Sequence, residues 1–242
     1  MSVAPLCKAA LMTSIIAHRG ASRAEHENTL AAFRRAGELG SDGVELDVRR
    51  TSDDRLVVHH DPYLPDGRSI VDTLRADLPA HVPDLVAAID ACAGMFVNIE
   101  IKNDPTEPDH DPSDLVLHRT IAELERRTAD RERAGRWLIS SFRAETVETC
   151  RRIGPRLRTA WLVTEVGAET VARAARVGHD ALHPWVVGLE RRWVRACRTA
   201  GLAVNTWTCD DPERMRELID WGIDGICTNV PDVALAVRSG LP

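Results

Sequence analysis

The chain has 242 residues, a formal net charge of −6, 44% hydrophobic residues and only 4% aromatics. Such apolar content excludes a disordered chain, the acidic balance argues against a bulk nucleic-acid surface, and the scarcity of aromatics argues against a stacking platform for single strands. One α/β domain spanning residues 1–242 accommodates this length.

At the N-terminus, Lys8 and the apolar run Ala9–Ile16 have the outline of a weak signal peptide. The run leads straight into a charged motif that cleavage would damage, so a first buried strand is the better reading. In chain order the expected strands are Met12–Ala17, Gly43–Val48, Phe96–Ile101, Trp137–Ser141, Leu157–Val163, Ala181–His183, Ala203–Trp207 and Gly225–Thr228. Arg55–His59 follows Asp53-Asp54 and reads as a hairpin extension of the second strand. The expected helices are Thr29–Leu39, Asp84–Ala93, Ser113–Arg127, Ala144–Ile153, Ala168–Val177, Leu189–Ala200, Pro212–Trp221 and Pro231–Ser239. In the first, Leu30, Phe33 and Leu39 share a face, with Asn28 or Thr29 as N-cap. Repeated strand–helix alternation implies parallel strands, and eight such units predict a (β/α)8 TIM barrel with a small β-hairpin after the second strand. A doubly wound open sheet is the alternative, but no G-x-G-x-x-G is present.

No apolar run approaches ~18 residues, so neither a transmembrane helix nor stable membrane insertion is expected. Six cysteines (Cys7, Cys92, Cys150, Cys197, Cys209 and Cys227) form no C-x-x-C pair and read as reduced thiols of a cytoplasmic protein. Asp104–Asp114 is Pro-rich and acidic and reads as a solvated loop or a mobile cover at the barrel mouth. Glu125–Arg136 reads as a solvated helix end, and the six tryptophans as packing.

Polar residues cluster at the carboxyl ends of the early strands, where a barrel carries its chemistry. Glu45 and Asp47 are two apart on one strand and share a face, as do Glu100 and Lys102. Val44, Leu46 and Val48 must face the helices, which turns the carboxylates inward. Three inward carboxylates repel unless a cation neutralises them, and oxygen ligands favour Ca²⁺ or Mg²⁺. The alternative is an ion-pair network, Glu100 with Lys102 or Glu45 with Arg19. His18 and His60 are candidate proton carriers. Arg19 and Lys102 add fixed positive charge for a phosphoester. Glu27 is either a support of the site or a helix-entry carboxylate, and Trp207 either packs against a ligand or belongs to the core. His183 is a lesser strand-end candidate, and His59, His110 and His179 read as surface or structural.

These motifs resemble the glycerophosphodiester phosphodiesterases: His18-Arg19-Gly20, then Glu27-Asn28-Thr29, Glu45-Leu46-Asp47 and His59-His60-Asp61-Pro62, followed by the segments 98–102, 140–142, 205–208 and 222–232. The resemblance spans nearly the whole chain. It implies hydrolysis of glycerophosphodiesters to sn-glycerol 3-phosphate and an alcohol, with Ca²⁺ or Mg²⁺ on Glu45, Asp47 and Glu100. It also implies His18 and His60 as acid–base pair and Arg19 on phosphate. His26 stands where the family usually has Pro, Asp54 where it has Gly, and Asn229 where Asp is frequent. The segment between His60 and Glu100 is too short for a large insertion domain. The substrate expected is a small molecule, and a homodimer is compatible with this reading. Two rival readings are a phospholipase D-like hydrolase of lysophospholipids, against which the lack of an obvious membrane-docking aromatic loop counts, and a non-catalytic barrel that binds phosphorylated ligands.

Overall fold

The computed structural model describes residues 12–127 and 135–240. Cys7, residues 8–11 of the stretch weighed as a signal peptide and the centre of the Arg-rich stretch lie outside these residues.

The elements are β1 (Ser14–Ala17), α1 (Leu30–Leu39), β2 (Gly43–Arg50), β3 (Leu56–Val58), α2 (Leu85–Ala91), β4 (Phe96–Ile101), α3 (Leu115–Arg127), β5 (Trp137–Ser141), α4 (Ala144–Ile153), β6 (Arg158–Val163), α5 (Ala168–Val177), β7 (Ala181–Pro184), α6 (Arg191–Thr199), β8 (Ala203–Thr206), α7 (Pro212–Asp220), β9 (Gly225–Thr228) and α8 (Pro231–Arg238). Parallel pairing runs from β2 through β4, β5, β6, β7, β8 and β9 to β1, and β1 pairs with β2 to close the ring. An open doubly wound sheet would leave two edges, so the closure decides for the TIM barrel. β3 lies outside the ring, antiparallel to β2, with Val48 opposite Val58 and Arg50 opposite Leu56.

Alternation along β2 explains how the barrel presents its polar groups. Val44, Leu46 and Val48 pack in one buried cluster with Phe33 and Ala36 of α1 and Leu85 and Ala88 of α2. Glu45 and Asp47 therefore face the barrel interior. In α1 the N-cap is Thr29, whose hydroxyl accepts from the Ala32 N–H at 3.2 Å. The buried face is Ala32, Phe33 and Ala36, not the expected Leu30, Phe33 and Leu39. Small residues face inward because the chain at Gly20 approaches closely: a Cβ there would lie 2.6 Å from the Ala32 carbonyl carbon. At the β2–β3 turn, Asp54 keeps a left-handed φ of 62° and pairs with Arg50 and Arg119.

Two stretches differ from expectation. The acidic segment after β4 is anchored: Asn103 Nδ2 donates to Asp114 and to the Asp111 carbonyl, and Arg49 pairs with Glu107 and Asp109. Arg136 is not simply solvated, since its guanidinium donates to the Met95 carbonyl at 2.9 Å and lies over Trp137. Among the described residues, no helix is long and apolar enough to cross a membrane.

Candidate active site

The strand register assembles an acidic cluster. Asp47 lies beside Glu100 across the β2–β4 pair, and one oxygen from each of Glu45, Asp47 and Glu100 falls within 4.8 Å of the others. All three are buried. Burial pushes the Glu45 carboxyl well above the usual range, and the charges of Asp47 and Glu100 push the same way. Glu100 is also raised by burial, although Lys102 opposes the shift. Burial works against Asp47 too, but the charges of Lys102, His60 and Arg19 outweigh it and hold that carboxyl below its usual range.

The expected ion pairs form only in part. Lys102 Nζ lies 2.9 Å from Glu100 and 3.7 Å from Asp47, which raises the ammonium above its usual value against the effect of burial. Arg19 turns its guanidinium to Glu27 at 2.8 Å and Asp47 at 3.5 Å, and gives Glu45 only its backbone N–H at 3.0 Å. Glu45 Oε1 is buried with no hydrogen-bond partner. Two cations face three carboxylates, so the side chains alone leave the cluster short of positive charge.

The segment 18–29 folds tightly over this cluster. Arg19 and Asn28 adopt left-handed φ values of 54° and 55°, with Gly20 at 82° between them. Asn28 N donates to the Arg19 carbonyl at 2.9 Å, and Asn28 Nδ2 donates to Asp47 at 2.8 Å. Asn28, one of the two expected caps, instead holds a carboxylate, and Thr29 is the cap. Glu27 holds the Arg19 guanidinium at 2.8 Å.

The two histidines line one cavity of about 100 Å³ together with Arg19, Glu45 and Glu100. His18 Nδ1 lies 2.7 Å from Asn229 Oδ1, and His18 Nε2 lies 3.9 Å from Glu45. Burial, then the charge of Arg19, lowers the His18 pKa. His60 follows β3, and its Nδ1 lies 2.7 Å from Asp61 Oδ1. The opposite arc of the ring gives the cavity an apolar wall of Phe142, Leu162 and Trp207. Trp207 meets Phe142 edge-on at 5.2 Å and donates its indole N–H to the His183 carbonyl at 2.7 Å. His183 is buried beneath, 2.9 Å from Asn205 Nδ2, and burial pushes its pKa down to about 3. Lys102 does not line this cavity; its ammonium is committed to Glu100 and Asp47.

Asp61 and Phe142 belong to the site although sequence reasoning gave them no role. Asp61 directly follows His60, and Phe142 closes the 140–142 segment, so adjacency to motif residues was the available signal. Asn229, noted only as a departure from the family pattern, is the partner of His18.

The closed parallel barrel thus carries three buried carboxylates beside a cavity lined by His18 and His60, and comparison with known proteins identifies the class. Residues 18–233 match the model of the glycerophosphoryl diester phosphodiesterase family. The chain is 32% identical over 252 residues to the glycerophosphodiester phosphodiesterase of Caldanaerobacter subterraneus subsp. tengcongensis, covering 95% of this chain and all of that one. The Thermotoga maritima glycerophosphodiester phosphodiesterase structure superposes with a TM-score of 0.78 at 26% identity, covering 93% of this chain and 98% of the other. An Oleispira antarctica phosphodiesterase solved with the product sn-glycerol 3-phosphate shares the fold, with a TM-score of 0.85 at 24% identity and coverage of 94% and 97%. The chain belongs to the glycerophosphoryl diester phosphodiesterase family, and is thus a phosphoric diester hydrolase.

Proposed function

We propose that the chain hydrolyses glycerophosphodiesters to sn-glycerol 3-phosphate and an alcohol, with a divalent cation held by Glu45, Asp47 and Glu100 and with His18 and His60 as the acid–base pair. The observation that carries this reading is that Glu45, Glu100 and the two histidines line one cavity, with a carboxylate oxygen of Asp47 within 4.8 Å of the other two carboxylates. The donor set fits a hard cation: all three ligands are oxygen, and Glu45 Oε1 has no other partner. Ca²⁺ or Mg²⁺ bound there would withdraw charge from the phosphoryl oxygens.

The chain's own groups supply the rest. Each histidine has Nδ1 tied to an oxygen, of Asn229 or Asp61, which leaves Nε2 for the substrate. One Nε2 takes a proton from the attacking hydroxyl, and the other gives one to the departing alkoxide, a poor leaving group without it. Arg19, fixed by Glu27, faces the phosphate. Phe142 and Trp207 pack against the carbon side of the glycerol. The five described cysteines are free and buried, which supports a reducing, cytoplasmic setting.

One observation favours a second reading. Trp185, whose main chain bridges to that of Trp207 in the cavity wall, and Val187, two residues further on, are 42% and 71% exposed. That apolar margin supports lysophospholipids as alternative substrates. A panel of glycerophosphocholine, a lysophospholipid and bis-p-nitrophenyl phosphate, each with and without chelator, tests both readings. Chelator-sensitive release of glycerol 3-phosphate from glycerophosphocholine is expected. A protein that binds but cleaves none of the three would be a ligand-binding barrel.

A further inference from the structure

Among the described residues, Arg49 is the largest side chain with no exposed surface. It ends the interior-facing series of β2, two residues beyond Asp47. Its guanidinium forks. Nε and Nη2 donate to the main-chain carbonyl of His60 at 2.8 and 2.5 Å. Nη1 donates to Asp109 at 2.6 Å and Glu107 at 2.9 Å, and Nη2 also reaches Glu107 at 3.0 Å. Burial opposes the charge of Arg49, but Glu107 and Asp109 outweigh it and hold the guanidinium more firmly protonated than usual.

This arrangement is expensive as a device for stability. Buried ion pairs are frequently matched or bettered by apolar side chains of similar volume. Here a buried cation recruits two carboxylates from 58 and 60 residues away, and spends the other edge of its fork on one carbonyl. That carbonyl belongs to His60, which lies past the end of β3 and outside the closed ring. The neighbouring main-chain tie is the His59 N–H to the Asp47 carbonyl at 3.0 Å. Arg49 thus fixes the residue that the barrel itself does not carry.

We propose that Arg49 is a positioning residue for His60, with Glu107 and Asp109 as its counter-charges, so that the acidic segment after β4 acts on the reaction from outside the cavity. The proposal rests on the reading of His60 as an acid–base group. A displacement of about 1 Å at a reacting group costs on the order of a hundredfold in rate, and a carbonyl gripped by two N–H groups limits such displacement.

The test is a double-mutant cycle on the metal-supplied enzyme with glycerophosphocholine. Arg49→Met and Arg49→Lys should each lower kcat by on the order of tenfold to a hundredfold, with KM little changed. In the His60→Ala background the same substitutions should have no further effect, because Arg49 acts through the missing imidazole. Arg49→Lys keeps a positive charge beside Glu107 and Asp109 but cannot fork to the carbonyl, so it should stay folded and still be slow. Should Arg49→Met fail to fold, the paired change Glu107→Gln with Asp109→Asn carries the cycle, and should lower kcat only where His60 is present. A folded Arg49 variant with parental kcat would overturn the proposal. So would an Arg49 effect of equal size in both backgrounds, which would mark a purely structural role. Parental activity in His60→Ala alone would overturn the acid–base reading beneath it.

Discussion

The Nδ1–H of His18 donates to the side-chain carbonyl of Asn229 at 2.7 Å. The assignment follows from the next link outward. Asn229 Nδ2 donates to Asp210 Oδ2 at 2.7 Å, so the amide presents its oxygen to the ring, and an oxygen without hydrogen can only accept. Asp210 also accepts from the Asn229 N–H and the Thr228 hydroxyl, each at 2.8 Å. The neutral His18 ring therefore carries its lone pair on Nε2, the nitrogen nearer Glu45. An amide at position 229 sets this tautomer without adding a charge of its own.

Replacing either histidine by alanine should lower kcat on glycerophosphocholine by on the order of 10²–10⁴. The two variants should part company on bis-p-nitrophenyl phosphate. That leaving group departs without a proton, so the loss of the acid should matter less there. Steady-state rates on both substrates give the assignment, and near-native kcat in both variants on the natural diester would sink the two-histidine mechanism.

EDTA should abolish activity, with Ca²⁺ or Mg²⁺ restoring it. Asp47→Asn should weaken cation binding measured by calorimetry, and the stripped variant should also melt below the parent, because the substitution removes the charge that faces Lys102 and Arg19. Full activity after complete metal removal would contradict the assignment of Glu45, Asp47 and Glu100.

His183 makes acid sensitivity predictable. Its folded pKa, about 3, lies below the value of about 6.5 expected for the unfolded chain. Between these values the unfolded state binds the proton and the folded state does not. Stability should therefore fall as pH drops from about 6.5 toward 3, by up to several kcal/mol from this group. Urea titrations at pH 7, 5.5 and 4.5 should show a steeper decline in the parent than in His183→Gln, which does not titrate. Parallel declines would show that His183 does not contribute.

Two glycines with similar backbones separate conformation from crowding. Gly20 and Gly40 have φ of 82° and 87°, but a Cβ at Gly40 meets nothing within 4 Å. Gly40→Ala should cost about 1 kcal/mol in urea unfolding, the backbone penalty alone. Gly20→Ala should cost clearly more and reduce activity, because it forces apart the 18–29 turn and the Ala32 main chain. Equal costs would show that the close approach at Gly20 relaxes freely.

The barrel could be read from the sequence because its signals are local. Alternation within β2 separated Val44, Leu46 and Val48 from Glu45 and Asp47, and the helices between strands implied parallel order. His18 and His60 stood beside charged residues at strand ends. What the sequence could not show depends on contacts between distant segments. Asn229 meets His18 across 211 residues, and no periodicity relates them. The 104–114 segment looked solvated because its acidic residues gave no hint of the buried Arg49. Trp207, weighed between a ligand contact and the core, lines the cavity, whereas Trp185, expected to pack, is 42% exposed.

Placing β3 outside the ring has a consequence for how the molecule breathes. The hairpin is joined to β2 through three paired positions and has a small core of its own, Val57, Leu64, Ile70, Leu78 and Val82. The eight ring strands close without it. Opening this flap would carry His60 away while the acidic cluster stayed assembled, leaving an intact ring temporarily unable to turn over. Under the proposed acid–base role of His60, catalysis would be lost at a lower threshold than folding, and amide exchange at residues 56–60 should run ahead of exchange in β4 and β5.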